Sequence, residues 1–203
     1  MMTITYEVGN GLYVNITNRC PNACTFCIRN NGDGAYGSNS LWLEREPTVD
    51  EIVEDIIKKD PTKYSELVFC GYGEPTERLE DMLEVCKKIK SRYPSVLIRV
   101  NTNGLADLIA GRDTSAMFGG AVDVISVSMN AATPEKYQEI CLSKFGEDAY
   151  NAMLKFCANV KNYVPNVVLT VVSGTLSDED IEICRKNAEK AGVNFRVREY
   201  IAP

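Results

Sequence analysis

Val124-Ile125-Ser126-Val127-Ser128 and Val167-Val168-Leu169-Thr170-Val171-Val172 decide the fold. Both runs are rich in β-branched residues and show little alternation of apolar and polar positions, the pattern of strands covered on both faces. Strands buried that way are usually parallel, and successive parallel strands need a crossover, most often a helix. The chain between the two runs supplies it, with helical spacing at about 133–142 and 147–163.

Outward from this pair the alternation continues. Upstream, Leu12–Thr17 reads as a strand, Thr48 caps a helix to about Lys59, and Glu66–Cys70 is a second strand. Thr-Val-Asp-Glu at 48–51 is a capping box, and Ile52, Val53, Ile56 and Ile57 form the apolar stripe behind it. A helix over 77–93 follows, stopped by Pro94, then a strand at Val96–Val100 and a weak helix within 105–120. Downstream, a helix over 177–191 ends at Gly192, and Phe195–Ile201 is the sixth strand. Strands alternating with helices predict βαβ units with right-handed crossovers. A closed eight-stranded barrel takes about 250 residues. The 203 residues here predict an α/β fold of smaller size, an open six-stranded partial (β/α)6 TIM-like barrel of parallel strands. No linker, low-complexity tract or internal repeat divides the chain, so 1–203 is expected to form one domain. One long irregular stretch interrupts the pattern, Arg29–Pro47, and such segments inside a compact domain are usually functional.

Composition limits the function. A net charge of −6 and a pI near 4.9 give no global support for nucleic-acid binding and suit a small-molecule or protein substrate better. No apolar run approaches the roughly 20 residues of a membrane span. The opening MMTITYEVGNGLYVNIT lacks the features of a signal peptide, so a cytoplasmic protein with reduced thiols is expected. Histidine is absent, which removes the commonest general base and a leading zinc ligand. Of eight cysteines, three crowd into Cys20, Cys24 and Cys27. Cys86, Cys157 and Cys184 lie beside apolar residues in helical patterns and read as core packing.

In parallel α/β folds the chemistry collects at the carboxyl ends of the strands. There the first strand runs into the cysteine triplet, the second into Cys70-Gly71-Tyr72-Gly73-Glu74-Pro75-Thr76, the third into Asn101-Thr102-Asn103-Gly104, and the fourth into Ser128-Met129-Asn130. Three thiolates on one tight loop can hold three corners of a 4Fe–4S cubane and leave one iron open to an exogenous ligand such as S-adenosylmethionine (SAM). The competing reading, structural zinc, needs a fourth ligand, which without histidine means a distant thiolate such as Cys70.

Each secondary motif carries a plain reading beside the functional one. Gly71-Tyr72-Gly73 is a turn, or a place where a ligand meets backbone. Glu74 is a solvated carboxylate, or the acceptor for an ammonium. Asn103-Gly104 is a common turn pair, with Asn101 better placed to point at the site. Ser128 and Asn130 would share a strand face by two-residue periodicity and suit a pair of sugar hydroxyls. Phe26 is packing, or an apolar wall beside a bound cofactor.

Cys20-x-x-x-Cys24-x-Phe26-Cys27 resembles the defining motif of the radical SAM superfamily. Tyr72-Gly73-Glu74-Pro75 resembles the element that receives the amino group of SAM, with Tyr72 in place of its first glycine. Asn101 and Asn103 match the polar end of the third strand, and Ser128 and Asn130 the ribose contacts after the fourth. More closely, Cys27–Thr48 and Phe69–Glu77 are similar to the small subgroup encoded beside TatD-type nucleases. The resemblance implies a 4Fe–4S cluster and SAM as cofactors, a flavodoxin- or ferredoxin-like electron donor, and a 5′-deoxyadenosyl radical that takes hydrogen from a small-molecule or protein substrate. A glycyl-radical activating enzyme and a non-catalytic iron–sulfur carrier are the alternatives. The segment Arg29–Pro47 is expected to form a lid, with Arg29 or Arg45 free for a carboxylate or phosphate. Arg196, Arg198 and Tyr200 share a strand face whose direction the sequence leaves open.

Overall fold

Gly9 and Asn10 turn the chain back between Thr5–Val8 (β1) and Gly11–Val14 (β2), which pair antiparallel at one edge of the sheet. Gly9 has φ 55°, which suits the first central position of a two-residue hairpin turn. From β2 onward every neighbouring pair is parallel: Glu66–Phe69 (β3), Ile98–Thr102 (β4), Val124–Ser128 (β5), Asn166–Val172 (β6) and Asn194–Arg198 (β7). The order is β1 to β7 in sequence, and the two edges do not pair, so the sheet stays open. This computed structural model describes residues 2–199, so Tyr200 and the last part of the expected sixth strand lie outside the described residues.

The six expected parallel strands are therefore β2 to β7, and β1 is an addition to the expected all-parallel set. An antiparallel strand at the edge of a parallel sheet is common, because a hairpin needs only a short turn where a parallel neighbour needs a crossover. β4 begins two residues later than its apolar run suggests, because the Val96 amide is used on the Tyr93 carbonyl in the turn after the preceding helix.

Helices fill the crossovers. Val49–Lys59 (α1) starts at the expected capping box, with Thr48 and Glu51 exchanging hydrogen bonds, an arrangement whose Thr alone is worth about 1 kcal/mol. Leu79–Arg92 (α2) begins later than expected, behind a 3-10 turn at Pro75–Arg78. Buried Arg78 fixes that turn by donating to the carbonyls of Ile16 and Pro47 and pairing with Asp81. The weak helix within 105–120 resolves into a short helix, Ala106–Ala110 (α3), and a 3-10 turn at Ser115–Phe118. Pro134–Cys141 (α4), Asp148–Val160 (α5) and Asp178–Ala191 (α6) complete the set, α6 closing at Gly192 with φ 70°. Among the described residues no helix is long and apolar enough to cross a membrane.

The core lies between strands and helices. Leu12, Val14, Leu67, Phe69, Ile98, Val100, Ile125, Val127, Leu169 and Val171 point one way and are buried against Ile52, Ile56, Met82, Ile89, Met153 and Phe156. Cys86, Cys157 and Cys184 lie buried in this layer as expected. The alternate strand residues face a cavity, and that face carries the polar groups.

Candidate active site

The cysteine loop leaves β2 and is held by the far end of α4. Ala23 N donates to the Cys141 carbonyl (3.0 Å), Thr25 N to that of Ile140 (3.0 Å), and Lys144 N returns to Pro21 (2.9 Å). The last carbonyls of any helix lack partners inside the helix, and here the loop supplies them. Asn22 Nδ2 donates to the Tyr137 hydroxyl at 3.0 Å, and Arg29 donates to the Asn22 carbonyl at 3.3 Å.

Cys20, Cys24 and Cys27 are all half-buried on this loop. Burial, with the Glu74 carboxylate nearby, pushes the Cys20 thiol up to about 12. A hydrogen bond between the Cys24 and Cys141 thiols, and then burial, holds Cys24 above its ordinary range, while the same bond lowers Cys141. The thiol that meets the loop is thus Cys141, not Cys70, which instead lines the cavity. Among the described residues no three Cys, Asp or Glu side chains gather around one point as they would about a single metal ion.

The second motif packs directly on the first. A β-carbon on Gly73 would collide with the Thr17 carbonyl, and one on Gly71 with the Asn15 amide. Glu74 N donates to the Arg19 carbonyl at 2.8 Å. The Glu74 side chain is buried and already engaged. Its Oε1 accepts from Thr76 N (3.1 Å), the Thr76 hydroxyl (2.8 Å) and the Thr102 hydroxyl (2.7 Å), and its Oε2 from Asn103 N (2.8 Å). Burial raises its pKa against the pull of those four bonds. Glu74 is therefore no solvated carboxylate: it ties the end of β3 to the end of β4 and keeps spare acceptor capacity at Oε2.

Asn103 makes the expected turn, its Oδ1 accepting from Leu105 N at 3.0 Å, but its Nδ2 is buried without a partner. Asn101, on β4, lines the cavity and bonds to the Cys70 thiol, opposing the upward push of burial on that group. Ser128 ends β5, half-buried and paired in register with Thr170. Asn130 departs from the expected strand face, because its φ of 63° lies past the strand end; its Nδ2 reaches the Cys141 sulfur at 3.5 Å. Phe26 is 51% exposed, which rules out core packing as its role.

The stretch 29–47 is anchored across the mouth of the sheet. Asn15 Nδ2 donates to the Leu41 carbonyl at 2.7 Å, Asn18 exchanges two bonds with the Leu43 backbone, and the Tyr72 hydroxyl donates to the Gly32 carbonyl at 2.7 Å. Trp42 meets Tyr72 edge-on at 5.1 Å, and Ala35 and Leu41 are buried with Tyr6 and Tyr72. Arg45 is not free for an anion as expected; it pairs with Glu51 at the start of α1. Beneath the segment lies a cavity of about 290 Å³. Its walls come from the inner faces of β1 to β5 and β7 and from Ile28, the residue after Cys27. Arg196 and Arg198 line it, which settles the direction of that strand face. Cys141, Tyr137 and the tyrosines of the cavity were beyond sequence reasoning, since only the folded register brings them here.

A family model described as the Radical SAM superfamily matches residues 14–186. Among solved structures, the chain is similar to TYW1 with a lysine-pyruvate adduct bound, at TM-score 0.66 and 14% identity over 95% of this chain and 65% of that one. It is similar to a radical SAM methyltransferase from Sphaerobacter thermophilus, at TM-score 0.67 and 15% identity over 98% and 69%. Streptococcus suis SuiB bound to precursor peptide SuiA gives TM-score 0.69 and 14% identity, over 95% of this chain and 39% of that one. SuiB is also solved with S-adenosylmethionine bound. Likenesses at these identities carry the fold, and the chain spans from 39% to 69% of those three proteins. No curated protein sequence matches it.

Proposed function

Because the chain belongs to the radical SAM superfamily, an enzyme family whose cofactors are a 4Fe–4S cluster and SAM, we propose that its carboxyl rim is the SAM-cleaving site, with Cys20, Cys24 and Cys27 as the three cluster ligands. The observation that carries this reading is the join between the two motifs. The cysteine loop and the Gly73-Glu74 turn are one packed unit, bonded through Glu74 N and the Arg19 carbonyl and too close at Gly73 for any side chain.

The residues fit the group. The donor set is three thiols on one loop in a chain without histidine, and a cubane takes one thiolate at each iron, so the sulfurs need not meet at a point. When bound, the cluster supplies the electron that splits the C5′–S bond of SAM. The chain's own part is binding, orientation and exclusion of water. Glu74, held rigid by four donors, offers Oε2 to the SAM ammonium, and the unpartnered Nδ2 of Asn103 offers a donor beside it. Asn101, Ser128 and Asn130 supply polar contacts for the sugar, and the exposed Phe26 ring an apolar surface beside the cluster loop. The bridging stretch 29–47 shields the mouth.

Within the family we assign the chain to the subgroup encoded beside TatD-type nucleases, on Cys27–Thr48 and Phe69–Glu77. A flavodoxin- or ferredoxin-like reductant in the cytoplasm would serve it. Anaerobic reconstitution with SAM and dithionite, followed by chromatography for 5′-deoxyadenosine, tests the proposal. About four irons per chain and 5′-deoxyadenosine are expected, both lost on changing Cys20, Cys24 or Cys27 to Ala. Full iron loading in the triple variant refutes the ligand assignment, and a loaded protein that leaves SAM intact is an electron carrier.

A further inference from the structure

The cavity under residues 29–47 has a charge imbalance that the rim does not use. Four charged side chains line it: Glu66, Arg99, Arg196 and Arg198. Glu66 and Arg99 neutralise each other, their atoms 2.6 Å apart. Among the described residues neither Arg196 nor Arg198 makes a side-chain hydrogen bond or ion pair; Arg198 lies near Tyr36 and Cys70, and its Nε is buried with its hydrogen-bonding capacity unmet. Arg196 is exposed at the cavity edge and Arg198 half-buried beside it, so the cost falls on the buried Nε of Arg198, which an anion bridging the two guanidiniums would satisfy. They replace Arg29 and Arg45, whose guanidinium groups are bonded to Asn22 and Glu51.

The rest of the wall defines the body of that anion. Tyr36 and Tyr13 bring hydroxyls without hydrogen-bond partners among the described residues, and Ile28 and Leu41 bring apolar surface. A volume of about 290 Å³ stands at the lower end for ligand sites, which suits a small molecule. We propose that this cavity is the substrate chamber of the enzyme and that it takes a small organic anion, a carboxylate or phosphate on an apolar body, with the anionic group on Arg196 and Arg198. The proposal rests on the SAM-cleaving reading of the rim, which the chamber adjoins at Ile28, the residue after Cys27.

The test is binding rather than turnover, so that it stands apart from the radical chemistry. Phenyl phosphate, benzoate and phenol are titrated by calorimetry into the anaerobically reconstituted full chain with saturating SAM. Phenyl phosphate or benzoate should bind and phenol should not, and the tighter anion identifies the group. Arg198→Gln should weaken the anion about tenfold or more, Arg198→Lys should recover part of that loss, and Arg196→Gln with Arg198→Gln should abolish binding. Arg45→Gln, on the rim of α1, should bind as the parent does. Should Arg198→Gln fail to fold, the parent protein gives the answer alone: anion affinity must fall as sodium chloride rises. Equal binding of phenol and the anions, or affinity indifferent to the arginine substitutions, overturns the chamber. Displacement of the anion by SAM assigns the arginines to the cofactor and overturns it too. Failure to form 5′-deoxyadenosine with anion binding intact breaks the rim reading and leaves the arginine site standing.

Discussion

The two faces of the sheet are made from alternate residues of the same strands, yet they differ: the outer face is almost wholly apolar, while the inner one sets charged and polar side chains among Val68, Val124 and Val168. Toward the helices β3 turns Leu67 and Phe69, β4 turns Ile98 and Val100, and β5 turns Ile125 and Val127, all buried. Toward the cavity the same strands turn Glu66, Arg99, Asn101 and Ser126, with Cys70 just past the end of β3. Apolar burial contributes about 25 cal/mol per Å², so the outer face holds the fold. Polar groups inside cost free energy to desolvate unless they find partners. A sheet selected for stability alone would be apolar on both faces. The inner face departs from that around the cavity, which is why the proposed site draws on its residues and not on those of the outer face.

The sharpest test of this division is Phe69→Ala on the outer face. It should cost about 3–5 kcal/mol, measured from denaturant midpoints, while the folded fraction keeps its iron. A cost below about 1 kcal/mol would mean that the outer layer is not the main support.

Glu74→Ala should come next, because it acts on both sides of the division. Four donors lose their acceptor, so stability should fall by about 1–3 kcal/mol. SAM affinity should fall about tenfold or more with iron retained, as for loss of a hydrogen bond to a charged group. Calorimetry with SAM decides: unchanged affinity would confine Glu74 to tying β3 to β4.

The smallest effect compares one substitution on the two faces. Cys86→Ala, Cys157→Ala and Cys184→Ala in the packed layer should each cost about 1 kcal/mol with iron and 5′-deoxyadenosine formation intact. Cys70→Ala, at the cavity wall, loses the bond to Asn101 but little packing and should cost less than any of those three. Loss of iron from any of the first three would reveal a metal role for the packed layer, and a larger cost at Cys70 would make the cavity wall part of the core.

The parallel strands and their crossovers were legible because apolar periodicity reports burial directly, and the helix over 49–59 was legible down to its capping box. β1 was missed although Gly9-Asn10 between apolar runs is a hairpin signal, because Thr5–Val8 is short and mixed. The place of the three cysteines and Glu74 together on the carboxyl rim was legible from spacing. Cys141 was not, since the contact between its thiol and Cys24 depends on where α4 ends in space. Arg45 was misread because nothing in local sequence decides between a ligand and the Glu51 carboxylate. Alternation with Phe195 and Val197 put Arg196 and Arg198 on one face, but only the register with β6 shows that this face turns inward.

The docking of the cysteine loop onto α4 also orders events during biosynthesis. Thr25 and the Ile140 backbone that receives its bonds are 115 residues apart. Ribosomes add roughly 5–20 residues per second, so the thiols emerge on the order of ten seconds before the helix end that shapes their loop. A nascent chain thus displays the three cysteines before α4 can hold its side of their loop, and on the proposed ligand assignment loading of iron and sulfide would follow synthesis of α4. A chain cut short before that helix would carry every thiol of the motif and still lack the surface that gives the loop its form.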